Sequence, residues 1–447
     1  MKTPIVDFVR AYARSNTLRL HMPGHKGVLR LGMESYDITE IKGADSLFEA
    51  NGIIAESEAN ASSLFGSGAT FYSTEGSSLC IRGMLCLALL EAKKRGETPL
   101  ILAGRNAHKT FLSACGMLGL DVKWIYPSRG ESYLSCSINA EKLEAMLIGM
   151  DMKPTALYVT SPDYLGQRCD LAALAEVCHR HGILLLVDNA HGAYLHFLPE
   201  PIHPMDLGAD MCCDSAHKTL PVLTGGAYLH LSAALAETFR GQVRGALSMF
   251  GSTSPSYLIL VSLDQCNRYL AEGYREQLAG YIAKLENFKA ELAAAGYHLI
   301  GNEPLKITID SKAYGYYGDE LAELLRNGGI ECEFSDGDYT VMMLTPDLGD
   351  EALEKIRKCL KAIPQRSAIC ETAPRTCMLE AALSVRDAML AARERISLDL
   401  AVGRILAAAN VGCPPAVPIA VCGERLTEEV INAMRYYGID EVDVVIE

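Results

Sequence analysis

Between Ala69 and Leu229 short apolar runs alternate with longer stretches of helical pattern, and this alternation leaves few architectures open. The runs read as strands are Ala69–Ser73, Leu100–Ala103, Val122–Tyr126, Ala156–Thr160, Ile183–Val187, Met211–Cys213 and Ala227–Leu229. Helical pattern fills about 78–94, 107–117, 139–149 and 170–181. Strands that alternate with helices build an α/β fold, a mostly parallel central sheet with helices on both faces. Functional side chains then collect just beyond the carboxyl ends of the strands.

The chemistry-bearing residues fall at those ends. Asp214-Ser215-Ala216-His217-Lys218 follows one strand and precedes Thr224-Gly225-Gly226. A lysine beside a serine and a histidine suits a Schiff base with pyridoxal 5'-phosphate (PLP), provided its surroundings lower its pKa. Ser215 and His217 can reach the cofactor phosphate from either side, and the alternative is a solvated loop lysine. Glu75-Gly76-Ser77-Ser78 links a strand to a long apolar helix. Free N–H groups, the helix dipole and two hydroxyls favour a phosphate there, against a plain serine cap. His108 follows the Leu100 strand, either as a ring-stacking group or as a helix cap. Asp188 ends the most apolar strand, where a carboxylate needs a cation such as a protonated pyridine nitrogen or the duty of a helix cap. Ala190 is small enough to let a flat ring lie beside it. Thr160 to Gly166 reads as a pocket-wall loop.

The N-terminal arm, 1–50, holds a short helix around Ile5–Ala13 and the run His21-Met22-Pro23-Gly24-His25-Lys26-Gly27. His21 and His25 have metal spacing only on a helix, and Pro23-Gly24 opposes one, so a loop over an active site or a partner subunit fits better. A helix at about 55–65 follows the arm. The PLP-binding domain spans 51–270. A helical stretch at about 256–298 leads into a small α+β domain, 271–365, with strands Leu305–Ile309 and Tyr339–Leu344 and helices near 318–327 and 350–361. The C-terminal domain, 366–447, is expected to open with a helix from about Met378 to Arg395.

Bulk properties fit a soluble cytoplasmic protein, with no signal-peptide core and no apolar run of membrane-span length. The chain of 447 residues is long enough for two or three domains. Its 15 cysteines are scattered without a Cys-x-x-Cys pair, which points to buried reduced thiols. A net charge of −14 argues against a nucleic-acid partner and agrees with a cationic substrate.

Taken together the motifs resemble the bacterial-type PLP-dependent ornithine/lysine/arginine decarboxylases. The likeness is carried by Leu20-His21-Met22-Pro23-Gly24-His25-Lys26-Gly27, Asp37-Ile38-Thr39-Glu40, Glu75-Gly76-Ser77-Ser78 and Asn106-Ala107-His108-Lys109. It continues through Asp188-x-Ala190-His191-Gly192-Ala193, Ser215-Ala216-His217-Lys218 and Ser252-Thr253-Ser254-Pro255-Ser256-Tyr257 to Gly403-Arg404-Ile405 and Pro414-Pro415 through Gly423-Glu424. The resemblance implies PLP fold type I with small C-terminal α+β domains, in a short form without the N-terminal wing domain.

Lys218, His108 and Asp188 would be catalytic: Lys218 linked to the cofactor, His108 stacked on its ring, Asp188 on the ring nitrogen. Gly76, Ser77 and Ser78 would line the phosphate cup with Ser215 and His217 nearby, and Ala190 and His191 would border the ring. Ser252 or Thr253 would reach a cofactor across a homodimer interface. The implied reaction is α-decarboxylation of arginine, lysine or ornithine to CO2 and a polyamine or its precursor; Glu424 and Asp163 are candidate partners for the distal cation. Alternatives are an aminotransferase or lyase on the same scaffold, or a non-catalytic PLP-binding regulator.

Four positions depart from the family's usual pattern. Asn189 stands where an acidic residue is usual, Tyr194 where a histidine often is, Ala416 where a glycine is usual, and Asp163 where a neutral residue is expected.

Overall fold

A computed structural model describes residues 1–128, 131–408 and 415–446. Pro414 of the tail motif lies outside the described residues. The chain divides into two units, Met1–Glu97 with Leu171–Leu278 and Thr98–Asp170 with Ala279–Glu447.

The seven expected strands all form, as β1 (Ala69–Ser73), β2 (Leu100–Gly104), β3 (Asp121–Ile125), β4 (Ala156–Thr160), β5 (Leu184–Asp188), β6 (Met211–Asp214) and β7 (Ala227–Leu231). In the first unit the order is β1-β7-β6-β5, and in the second β4-β2-β3. β5 runs parallel to β6, while β7 is antiparallel to both β6 and β1. β2 is parallel to β3 and to β4. Every residue of β5 and β6 is buried, so these strands are apolar throughout rather than alternating. The register pairs Asp188 with Cys213, which brings the ends of β5 and β6 side by side.

Helices follow the expected pattern, with boundaries shifted by a few residues. Pro4–Arg14 forms the arm helix, with proline in its first turn where a missing N–H costs nothing. Ile53–Phe65 and Gly76–Arg95 flank β1, and Lys109–Leu118, Ala140–Ile148 and Leu171–Arg180 follow β2, β3 and β4. None of the described helices is long and apolar enough to cross a membrane.

Two expectations are corrected. The stretch at 256–298 is two helices, Tyr257–Ala271 and Tyr274–Ala294, then strand β8 at His298–Ile300. Gly273 sits between the helices with φ +85°, a left-handed conformation that ends a helix and favours glycine. β8 joins β9 (Lys306–Asp310), β10 (Phe334–Ser335) and β11 (Tyr339–Met343) in the order β10-β11-β9-β8.

The helix expected over 378–395 is confined to Val385–Leu390, where the Ser384 side chain accepts from Asp387 N–H and caps it. Arg393–Ser397 forms β12 instead, antiparallel to β13 (Glu441–Val445). Long-range pairing with a sequence-distant strand overrides the helical preference of the Arg-Glu-Arg run.

Candidate active site

Within the first unit, the ends of β5 and β6 and the start of the Gly76–Arg95 helix carry the proposed PLP residues other than His108 and Ser252. Lys218 lies on the single helical turn Ala216–Thr219 that follows β6 directly. Its Nζ is 2.9 Å from His191 Nε2, so the ammonium donates and the imidazole accepts. His217 is held by a 2.9 Å contact in which Nδ1 donates to the Gly226 carbonyl.

Ser215 is buried, and its hydroxyl donates to Ser77 Oγ at 2.8 Å. That bond joins the residues before Lys218 to the first turn of the Gly76–Arg95 helix. This turn carries no acidic side chain, and no side chain caps it. The plain serine-cap reading is thus not what the structure has: Glu75 occupies the cap position, and Ser77 is turned to Ser215. Gly76 adopts φ +70°, and its N–H donates to Gly225 O at 2.7 Å, which fixes the entry of the helix. Ser78 is half-buried on the same turn. Ser252 is exposed, and its N–H donates to Glu75 Oε1 at 2.6 Å, beside the same helix start.

Asp188 is the last residue of β5 and is buried. It caps no helix, since the following 3-10 turn Ala193–Phe197 is capped at Gly192. The Cys213 thiol donates to Asp188 Oδ1 at 3.6 Å, and burial pushes that thiol's pKa up, so it stays protonated. Ala190 is half-buried and His191 buried on the loop just beyond.

A carboxylate with no role assigned from the sequence motifs, Asp214, completes this layer. Asp214 Oδ1 accepts from Asn189 Nδ2 at 2.7 Å, and its Oδ2 lies 2.9 Å from His203 Nε2 and 3.2 Å from His230 Nε2. Burial alone would raise the Asp214 carboxyl, but the His203 and His230 contacts override it and hold it well below the usual range. Burial lowers His230, against the pull of Asp214. Only the burial of a carboxylate at a strand end could have flagged this cluster, because its histidines come from distant loops and strands.

His108 belongs to the second unit. It is the N-cap of the Lys109–Leu118 helix, its Nδ1 accepting from Thr110 N–H at 3.1 Å, so the capping duty is real whatever else the ring does. The two carboxylates considered for a substrate cation also have partners in this unit. Asp163 Oδ1 accepts from Leu165 N–H and Gln167 N–H, and burial raises its pKa to about 6. Glu424 pairs with Arg105 at 3.1 Å, both side chains buried. The arm histidines do not converge: His21 Nε2 meets Tyr12 OH at 2.6 Å, and His25 meets Asp37 at 3.3 Å.

A buried strand-end acid, a neighbouring strand-end lysine and a hydroxyl-lined helix start define a PLP enzyme of fold type I. The Orn/Lys/Arg decarboxylase major domain matches residues 3–309, and the Orn/Lys/Arg decarboxylase C-terminal domain matches 365–441. An arginine decarboxylase of Halalkalibacterium halodurans is 31% identical over 97% of this chain and 93% of its own length. One of Bacillus subtilis is 30% identical over 96% of this chain and 92% of its own. The solved lysine decarboxylase LdcF of Francisella novicida superposes with a TM-score of 0.80 at 16% identity, over 99% of this chain and 81% of its own. The chain belongs to the Orn/Lys/Arg decarboxylase family, and it is a PLP-dependent decarboxylase. The residues present fit the cofactor: an amine for the aldehyde, a helix start with hydroxyls at Ser77 and Ser78 for the phosphate, and a buried carboxylate for the ring nitrogen.

Proposed function

We propose that this protein removes the α-carboxylate of arginine, lysine or ornithine as CO2, leaving a polyamine or polyamine precursor, and that arginine is the substrate to test first. The observation that carries the reading is the Lys218–His191 pair at the carboxyl end of β6, one strand from buried Asp188. Full-length likeness to arginine decarboxylases supports arginine as the first choice.

PLP, when bound, supplies an electron sink for the bond that breaks. Lys218 holds the cofactor and afterwards delivers a proton to Cα from Nζ. His191 accepts from that Nζ and keeps it oriented. Asp188 holds the proton on the ring nitrogen, an arrangement favoured by its apolar strand. Gly76, Ser77 and Ser78 would hold the phosphate, Ser215 and His217 would flank it, and Ala190 would leave room for the ring.

The active form is a cytoplasmic homodimer in which Ser252 reaches the partner's cofactor. The arm supports this reading, because Leu18, Leu20, Met22, Leu29 and Leu31 are all exposed on one short segment. The domain boundaries 1–50, 51–270, 271–365 and 366–447 belong to the same proposal, and the C-terminal match from 365 supports the last of them.

The test is a visible absorbance scan of the purified protein, followed by CO2 release from arginine, lysine and ornithine. A cofactor band that is lost in Lys218→Ala, with CO2 from one of the three, is the expected result. A keto acid in place of CO2 would move the assignment to transamination, and a band without any turnover would favour a regulatory binder.

A further inference from the structure

Asp214 occupies a junction. It ends β6, one residue before Ser215 and four before Lys218, and its Oδ1 takes the Asn189 amide, which follows Asp188 at the end of β5. Both side chains are fully buried. An ionised carboxylate only accepts, so the Asn189 group that faces it is the NH2, and Asn189 Oδ1 is left buried with no hydrogen-bond partner among the described residues.

The other oxygen of Asp214 is saturated by ring nitrogens. Met205 N–H points at His203 Nδ1 at 3.3 Å, so that nitrogen accepts and the proton sits on Nε2, directed at Asp214. His230 sends Nε2 to Asp214, with Nδ1 2.8 Å from Thr70 Oγ1. Three ligand-type side chains this close resemble a metal site. A metal on His203 Nε2 would need a proton on Nδ1, against the Met205 N–H that already occupies that direction. The cluster is therefore built for protons, with the Asp214 carboxylate as their acceptor.

We infer that Asp214 is a positioning residue of the PLP site: its buried charge clamps the β5 end that carries Asp188 to the β6 end that leads into Lys218. The acid expected at position 189 is thus carried one strand over, with its amide partner at 189. This inference rests on the Lys218 assignment above.

The contact gives a charge-swap test. In Asp214→Asn the new side chain keeps an oxygen toward His203 and His230 and turns its NH2 toward Asn189, which can flip to offer Oδ1. Shape is conserved and only the charge is lost. Asn189→Asp alone sets two carboxylates face to face. The double variant N189D/D214N restores one acid and one amide, with the oxygen of the introduced amide still facing both rings.

PLP affinity of the apo-proteins is measured by equilibrium titration, with kcat and KM separated for the turned-over amino acid. Each single variant should bind PLP roughly ten- to a hundredfold more weakly, with the loss in kcat and little change in KM, as for a lost charged hydrogen bond. The double variant should recover most of the affinity. A double variant no better than Asp214→Asn, or a single variant within about threefold of wild type, overturns the inference while leaving the Lys218 assignment standing. A Lys218→Ala protein that keeps the lysine-linked band removes the assignment and the inference together. A drop in melting temperature with unchanged PLP affinity would make Asp214 structural only and also overturns it.

Discussion

Lys218 Nζ donates to His191 Nε2 across 2.9 Å, and the two residues come from segments that leave adjacent parallel strands, a helical turn after β6 and a loop after β5. The histidine is buried and the lysine half-buried, so the amine is fixed by an acceptor rather than by solvent. In the proposed mechanism this amine holds the cofactor and later delivers a proton, and both roles depend on such orientation. His191→Asn, which is shorter and misplaces the acceptor, should leave the lysine-linked absorbance band in place and lower kcat roughly a hundredfold. Stopped turnover with loss of the band would instead assign His191 to cofactor retention.

Much of this neighbourhood is legible in the sequence because it is local. Gly76-Ser77-Ser78, Asp188 and Ser215-x-His217-Lys218 each follow an apolar strand, and strand ends in an α/β fold converge by topology. The pieces that sequence reasoning misses are those that join distant segments. His203, Asp214 and His230 meet only after β5, β6 and β7 assemble, and no spacing rule links them. The tail misleads for the same reason: Arg393–Ser397 has helical composition, and only its pairing with Glu441–Val445 makes it a strand. Glu424 looks available for a substrate cation because its partner, Arg105, lies far upstream in the chain.

Ala416 takes φ +56°, a left-handed conformation that costs a residue with a Cβ. Its carbonyl accepts from Lys109 N–H at 2.8 Å, which holds the tail segment against the residue after His108. The glycine usual in the family at this place has a physical reason, and this chain does without it. Ala416→Gly should raise stability by about 0.5–1 kcal/mol, the relief of left-handed strain less the extra freedom of glycine in the unfolded chain. Chemical denaturation of the holoenzyme measures it, and a loss of stability would contradict the strain argument.

Asp163 gives a pH signature. Burial lifts its pKa to about 6 from the ordinary 3.8, ahead of the lowering by hydrogen bonds from Ser135 and from its own loop and by Lys306. A carboxyl whose folded pKa is raised contributes stability that is complete below the unfolded pKa and is lost as pH rises through the folded one. The window is therefore about pH 4 to 6. Asp163→Asn keeps Oδ1 for the Leu165 and Gln167 N–H groups and removes the titration. Relative to wild type, the variant should gain about 1–3 kcal/mol between pH 4 and pH 7. Denaturant midpoints of both proteins at the two pH values check this, and a difference independent of pH would show that Asp163 stays ionised.

Glu424 and Arg105 form a closed unit inside the second half of the fold. Arg105 also donates to Pro418 O at 3.1 Å and Ile419 O at 3.0 Å, and Glu424 Oε2 also accepts from Val421 N–H at 2.8 Å. Burial raises the Glu424 pKa, and Arg105 opposes it. Removing one charge of such a pair strands the other away from water, which costs about 3–5 kcal/mol. Glu424→Gln should therefore lower stability by an amount of that order, and the double variant Arg105→Met with Glu424→Gln should be less destabilised than Glu424→Gln alone, because no stranded charge is left. A carboxylate that bound the substrate's distal cation would behave differently: Glu424→Gln would raise KM with stability nearly unchanged. The two readouts separate a tail that is fastened by its carboxylate from a pocket that is lined by it, and the geometry favours the fastening.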